Sequence, residues 1–131
     1  MLEVSRIDTG PCRLLLKLES QNPGNSIKDR IALSMIEAAE RDGRLQAGGH
    51  IIEATAGNTG IALALIGGLK GYQVSVIVPD KMSEAKIAHL RALGAEVVIT
   101  RSDVQKGHPD YYQEVAQRLA DQTGGYYVNQ F

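Results

Sequence analysis

Short apolar runs alternate along this chain with longer stretches in which apolar residues recur every three or four positions. That rhythm predicts strand and helix units following one another around a parallel sheet. Residues 13–19 (RLLLKLE) read as a first strand. Residues 26–42 follow as a helix, with Ile27, Ile31, Met35 and Ala38 or Ala39 on its inner face and Gly43 in place to end it. Residues 50–54 (HIIEA) are the next strand and 60–70 the next helix, closed by Gly71. The run 73–79 (QVSVIVP) is almost continuously apolar and β-branched, as a strand buried on both faces should be. Residues 83–93 predict a helix capped by Ser83, with Ile87 and Leu90 inward and Gly94 as its stop. A strand over 95–100, a helix over 109–122 opened by Pro109, and a short strand over 126–129 complete the pattern. Only 101–108 reads as an exposed loop. The expected fold class is α/β, an open and mainly parallel sheet with flanking helices.

At 131 residues the chain suits one compact domain with one core. Its 14 Lys plus Arg against 15 Asp plus Glu leave a formal charge of -1, which argues against a nucleic-acid or anionic-membrane partner. The longest apolar run, 60–69, falls well short of the roughly 20 residues that span a bilayer. Cys12 is the only cysteine and no secretory leader is visible, so a reducing cytoplasm is the expected home. Cys12 reads as a small hydrophobe rather than a nucleophile. His50, His89 and His108 lack the spacing of a zinc site, and no metal is expected.

Two segments could carry chemistry. Residues 55–60 (TAGNTG) lie between an apolar strand and an apolar helix. Small residues there let the backbone turn tightly, and the unpaired amides of the following helix favour an anion. The segment reads as a carboxylate or phosphate cradle or, equally, as a plain turn. It lacks the three-glycine dinucleotide turn and the P-loop lysine. The second segment is 20–30 (SQNPGNSIKDR). With Ser26 as cap, Lys28 falls at the second helical position, where the macrodipole disfavours an ammonium and favours the free amine. Burial acts in the same direction. Such an amine attacks carbonyls. The alternative is that Lys28 belongs to a solvated triplet with Asp29 and Arg30.

Residues 22–30 (NPGNSIKDR), 53–60 (EATAGNTG), 79–83 (PDKMS) and 94–96 (GAE), together with 107–112 (GHPDYY) and 129–131 (NQF), resemble the cysteine synthase and cystathionine β-synthase family of pyridoxal-phosphate enzymes. The resemblance runs over essentially the whole chain, in the family's order and spacing. It implies the amino-terminal domain of the fold shared by tryptophan synthase β-like enzymes, with pyridoxal 5'-phosphate as cofactor. By it, Lys28 would hold the cofactor and later move the substrate's α-proton. Asn58 would bond the cofactor's ring hydroxyl. Thr55, Ala56, Gly57 and Thr59 would receive the carboxylate of an amino-acid substrate, and Gln130 would add a further carboxylate contact. Phe131 would line the pocket or serve as a core aromatic.

The implied reaction is β-replacement on serine or O-acetylserine, forming cysteine or cystathionine, in an enzyme expected to be a homodimer. Many members have serine where this chain has Ala56, which removes one donor to the substrate. The family's Gly-x-Thr-Pro-Leu segment and its second half, with the phosphate loop, are not in this sequence. Residues 1–131 are therefore expected to form a single α/β domain, a fragment of a larger two-domain enzyme whose carboxy-terminal half is absent, and to be a poor catalyst alone. Two other readings stay open. One is a non-catalytic binding or regulatory module for an amino acid or phosphate. The other is a nicotinamide- or flavin-binding domain, against which the missing glycine turn counts.

Overall fold

A computed structural model describes residues 1–130, so Phe131 lies outside the described residues. Four parallel strands form its main sheet: β3 (His50–Ala54), β4 (Gln73–Pro79), β5 (Glu96–Thr100) and β6 (Tyr126–Tyr127), in the order β5-β4-β3-β6. Ala54 pairs with Ile77 and Pro79 with Thr100, so the strands end on one side of the molecule. Helix α1 (Lys28–Arg41) precedes β3, and α2 (Asn58–Leu69), α3 (Glu84–Ala92) and α4 (Tyr112–Thr123) run between successive strands. One sheet face is covered by α1, α2 and α3 through Ile36, Leu63, Val76 and Leu90; the other by α4 through Ala116 and Ala120 against Ile52 and Ile77. Both faces of β3 and β4 are thus dry, which explains their unbroken apolar runs.

Helix α2 is apolar almost all round because it sits between the sheet and its neighbours, and residues 59–64 with Gly67 are buried. Glycine is required at two points of that contact. A Cβ on Gly60 would meet Val76 at 2.9 Å, and one on Gly67 would meet Val74 at 2.6 Å. Gly43, Gly71 and Gly94 take positive φ of 74°, 81° and 85° beyond the ends of α1, α2 and α3, as the stop signals require.

Several expected elements differ in detail. Residues 13–19 do not join the main sheet. Only β2 (Leu15–Leu16) is extended, paired antiparallel with β1 (Leu2–Glu3) in a separate exposed ribbon. A 3-10 turn over Glu19–Gln21 follows. Helix α1 begins at Lys28, and its buried face is Asp29, Ala32, Ile36 and Ala39 rather than the stripe through Ile27 and Ile31, which are 51% and 38% exposed. The two stripes lie one residue apart in phase, and α1 packs on α2 through the one whose alanines permit close approach. Helix α2 begins earlier than expected, at Asn58. Helix α4 begins at Tyr112, so Pro109 lies in the preceding turns and the loop after β5 extends further than 108.

Candidate active site

The carboxyl ends of β3, β4 and β5 open into a cavity of about 660 Å³, within the range of small-molecule sites. Its floor is the turn after β3. There Thr55 is buried, its amide donates to the Ile77 carbonyl at 3.0 Å, and its hydroxyl oxygen accepts the Gly57 amide at 3.2 Å. The next residues open α2, so Asn58 and Thr59 lie in a first turn whose amides have no partners within the helix.

Lys28 lines the same cavity. It is the first residue of α1, one position earlier in the helix than expected, because Ile27 and not Ser26 occupies the cap position. Ser26 still serves the helix start, since its Oγ accepts the Lys28 amide at 3.1 Å. Asn22 donates to the Ser26 carbonyl at 2.9 Å, and the Asp29 carboxylate accepts the Gly24 amide at 2.6 Å. Asn25 closes the turn in the left-handed region at φ 61°. The cluster of Pro, Gly, Asn and Ser before Lys28 is thus a hydrogen-bonded brace that aims the first turn of α1 at the turn after β3.

All the candidate residues among those described come together: Lys28, Thr55, Ala56, Gly57, Asn58, Thr59 and Gln130 line one cavity. Lys81, Arg101, Ser102 and Tyr112 also line it, and sequence reasoning assigned them no role. Their signal was position, since they follow the carboxyl ends of β4 and β5, where open α/β sheets bind ligands. The lining holds Lys28, Lys81 and Arg101 but no carboxylate, a composition suited to an anion. Arg101 is held by Asp103 through contacts of 2.9 and 2.8 Å.

Glu53 was missed as a functional candidate. It is fully buried in β3, directly before the turn, and burial pushes its carboxyl up to about 7. Its Oε1 accepts the Ala54 amide at 2.8 Å and its Oε2 the Gln130 amide at 3.3 Å. The histidines stay out of the cavity lining. His50, at the opposite end of β3, lies 2.8 Å from Ser75 Oγ, which donates to Glu96 at 2.6 Å. Among the described residues no group of three or more His, Cys, Asp or Glu is placed to hold a metal.

A parallel α/β sheet that brings a lysine and a small-residue turn together at its strand ends has a cavity of small-molecule size where open α/β sheets bind their ligands. Comparison with known proteins narrows the class. Residues 1–131 match the family described as pyridoxal-phosphate dependent enzyme, and the chain belongs to it. It is 47% identical over 125 residues to cystathionine beta-synthase of Rattus norvegicus, covering 93% of this chain and 22% of that protein. It is 50% identical over 104 residues to cysteine synthase B of Escherichia coli (strain K12), covering 79% of this chain and 34% of that one. The crystal structure of an O-ureido-L-serine synthase superposes with a TM-score of 0.87 at 33% identity, covering 99% of this chain and 40% of the other. The chain therefore spans between a fifth and two fifths of the length of these relatives.

Proposed function

We propose that this chain is the amino-terminal portion of a larger two-domain enzyme that carries out β-replacement on serine or O-acetylserine, giving cysteine or cystathionine. The observation that carries the reading is one cavity shared by the Lys28 amine and the turn 55–59. A module that merely bound an amino acid or a phosphate would need no amine at that place. The donor set also fits pyridoxal phosphate: an amine for its aldehyde, a side-chain amide at Asn58 for its ring hydroxyl, and a lining with three cations and no carboxylate for its anionic character. When bound, the cofactor supplies the electron sink that stabilises a carbanion at the substrate's α-carbon.

The chain's own residues supply the rest. Lys28 Nζ would hold the cofactor by its aldehyde and, as a free amine, would take the substrate's α-proton and later return a proton to the same carbon. In the overall exchange the β-substituent would depart with its bonding electron pair, and a thiol or sulfide, losing its own proton, would replace it at the β-carbon. The amides and hydroxyls of residues 55–59, with Gln130, orient the substrate carboxylate throughout.

The exposed Leu2, Leu15 and Leu16 of the β1–β2 ribbon, with Ile27 and Ile31 of α1, offer apolar surface for the remainder of such an enzyme to cover. The complete enzyme is read as a cytoplasmic homodimer with a small amino-acid substrate and no nucleic-acid or membrane partner. The near-balanced charge supports the reading without a nucleic-acid or membrane partner, and the single cysteine supports the reducing compartment. No helix among the described residues is long and apolar enough to cross a membrane.

The experiment is reductive labelling. With excess pyridoxal phosphate and borohydride, Lys28 should be modified in preference to the exposed Lys17, Lys81, Lys86 and Lys106, and Lys28→Ala should lose that modification with an unchanged circular dichroism spectrum. Uniform labelling of the lysines would overturn the assignment.

A further inference from the structure

We propose that Glu53 is a positioning residue for the substrate carboxylate, its two buried oxygens tying the turn 55–59 and the segment that carries Gln130 into a single anion-binding rim. The proposal rests on reading that turn as a carboxylate cradle, and it adds a residue which that reading does not contain.

The geometry is specific. Glu53 and the turn are continuous in sequence, whereas Gln130 lies 77 residues away along the chain. Beyond β6, Val128 still pairs with Ile52, its amide donating to the Ile52 carbonyl at 3.0 Å. Asn129 then turns through the left-handed region at φ 49°, and the amides of Asn129 and Gln130 both come to the Glu53 carboxyl. One oxygen accepts the amide of Ala54, the last residue of β3 before the turn, and the other accepts the Gln130 amide. The spacing of the two proposed carboxylate contacts is therefore set by the Val128–Ile52 backbone pair and the Glu53 side chain together.

Structural duty alone does not account for a carboxyl there. No cation pairs with Glu53 among the described residues, and burial makes its ionised form costly. A neutral amide of the same shape would avoid that cost but presents only one acceptor oxygen. What an ionised carboxylate adds is acceptor capacity on both oxygens at once, so that amides on two separate segments are satisfied together. The ionisable groups that feel its charge are Tyr112 from α4 and Tyr127 from β6; Tyr127 is itself influenced by Glu114. Burial raises both tyrosines, Tyr127 to about 12, so neither titrates near neutrality.

Amide NMR on the whole chain with L-serine as probe tests this. Between about pH 5.5 and 8.5, the Ala54 and Gln130 amides should shift together with a midpoint near 7, and L-serine should move the amides of residues 55–59 and of Gln130 more tightly at the upper end. Glu53→Gln has one acceptor oxygen in place of two. It should abolish the shared titration and weaken L-serine binding about tenfold, the loss of roughly one charge-assisted hydrogen bond, while keeping the circular dichroism spectrum of the folded chain.

Flat or unrelated titrations of the two amides, absence of any L-serine shift in the unmodified chain, or a Glu53→Gln variant that loses stability but keeps its affinity for L-serine would each overturn the proposal. The titration and the serine arm need no variant, so they decide the matter if Glu53→Gln does not fold. Lys28 labelling separates the two readings. If it persists while the Glu53 effects are absent, this proposal alone fails; if it is lost while they remain, the enzyme reading alone fails.

Discussion

At the scale of single residues, the chemistry here is decided by what each side chain is denied. Glu53 is denied water, and its carboxyl is pushed from 4.5 in the unfolded chain to about 7 in the fold. Between those values the folded state holds the extra proton, so stability falls as pH rises through the window and stays low above it. Urea unfolding should therefore show the chain more stable at pH 5 than at pH 8, by up to about 3 kcal/mol, with the difference greatly reduced in Glu53→Gln. Asn58 is the opposite case. It is exposed, at the first position of α2, and makes no side-chain hydrogen bond among the described residues. Asn58→Ala should change stability by no more than about 0.5 kcal/mol while slowing turnover of the complete enzyme markedly, as thermal melts and steady-state rates would show. Lys28 stood out in the sequence as a cation at a helix start, and Asn58 became a candidate only through the family resemblance. Glu53 did neither, because one acidic residue in an apolar strand looks the same whether it faces solvent or, as here, the backbone of a distant segment.

At the scale of elements, glycine spacing does most of the positioning. Helix α2 carries the turn, and its height above the sheet is set by Gly60 and Gly67, where β4 approaches so closely that a methyl group has no room. Gly67→Ala should cost about 1–3 kcal/mol, read as a lowered thermal midpoint, because Val74 and Ile51 must both shift. Gly68, whose added Cβ would meet nothing closer than 3.6 Å, should tolerate alanine at little cost. The strands β3 and β4 were read with the bounds they have, because burial on both faces leaves an apolar run that only a central parallel strand requires. The phase of α1 was misread for a physical reason. Two apolar stripes wind around that helix, and the partner helix, not the stripe's hydrophobicity, selects between them.

At the scale of the whole molecule, the β1–β2 ribbon and the main sheet differ in how they are held. The ribbon is a two-stranded pairing of exposed residues, braced by Arg13 on Glu3 at 2.9 Å, whereas Val76, Ile77 and Val78 are sealed on both faces. Hydrogen exchange should open the amides of residues 2–16 at far lower free energy than those of β4; equal protection would show that the ribbon belongs to the same cooperative unit. The order of strands and helices, the helix stops and the two candidate segments could be read along the chain, because each depends on residues close together in it: periodicity, capping and turn geometry. The burial of one stripe of α1 over the other, the departure of residues 13–19 from the sheet, and the approach of Lys81 and Arg101 to the turn after β3 emerge only in the folded molecule. Those outcomes depend on which surfaces meet across the fold, and a pattern read along the chain carries no record of contacts between segments far apart in it.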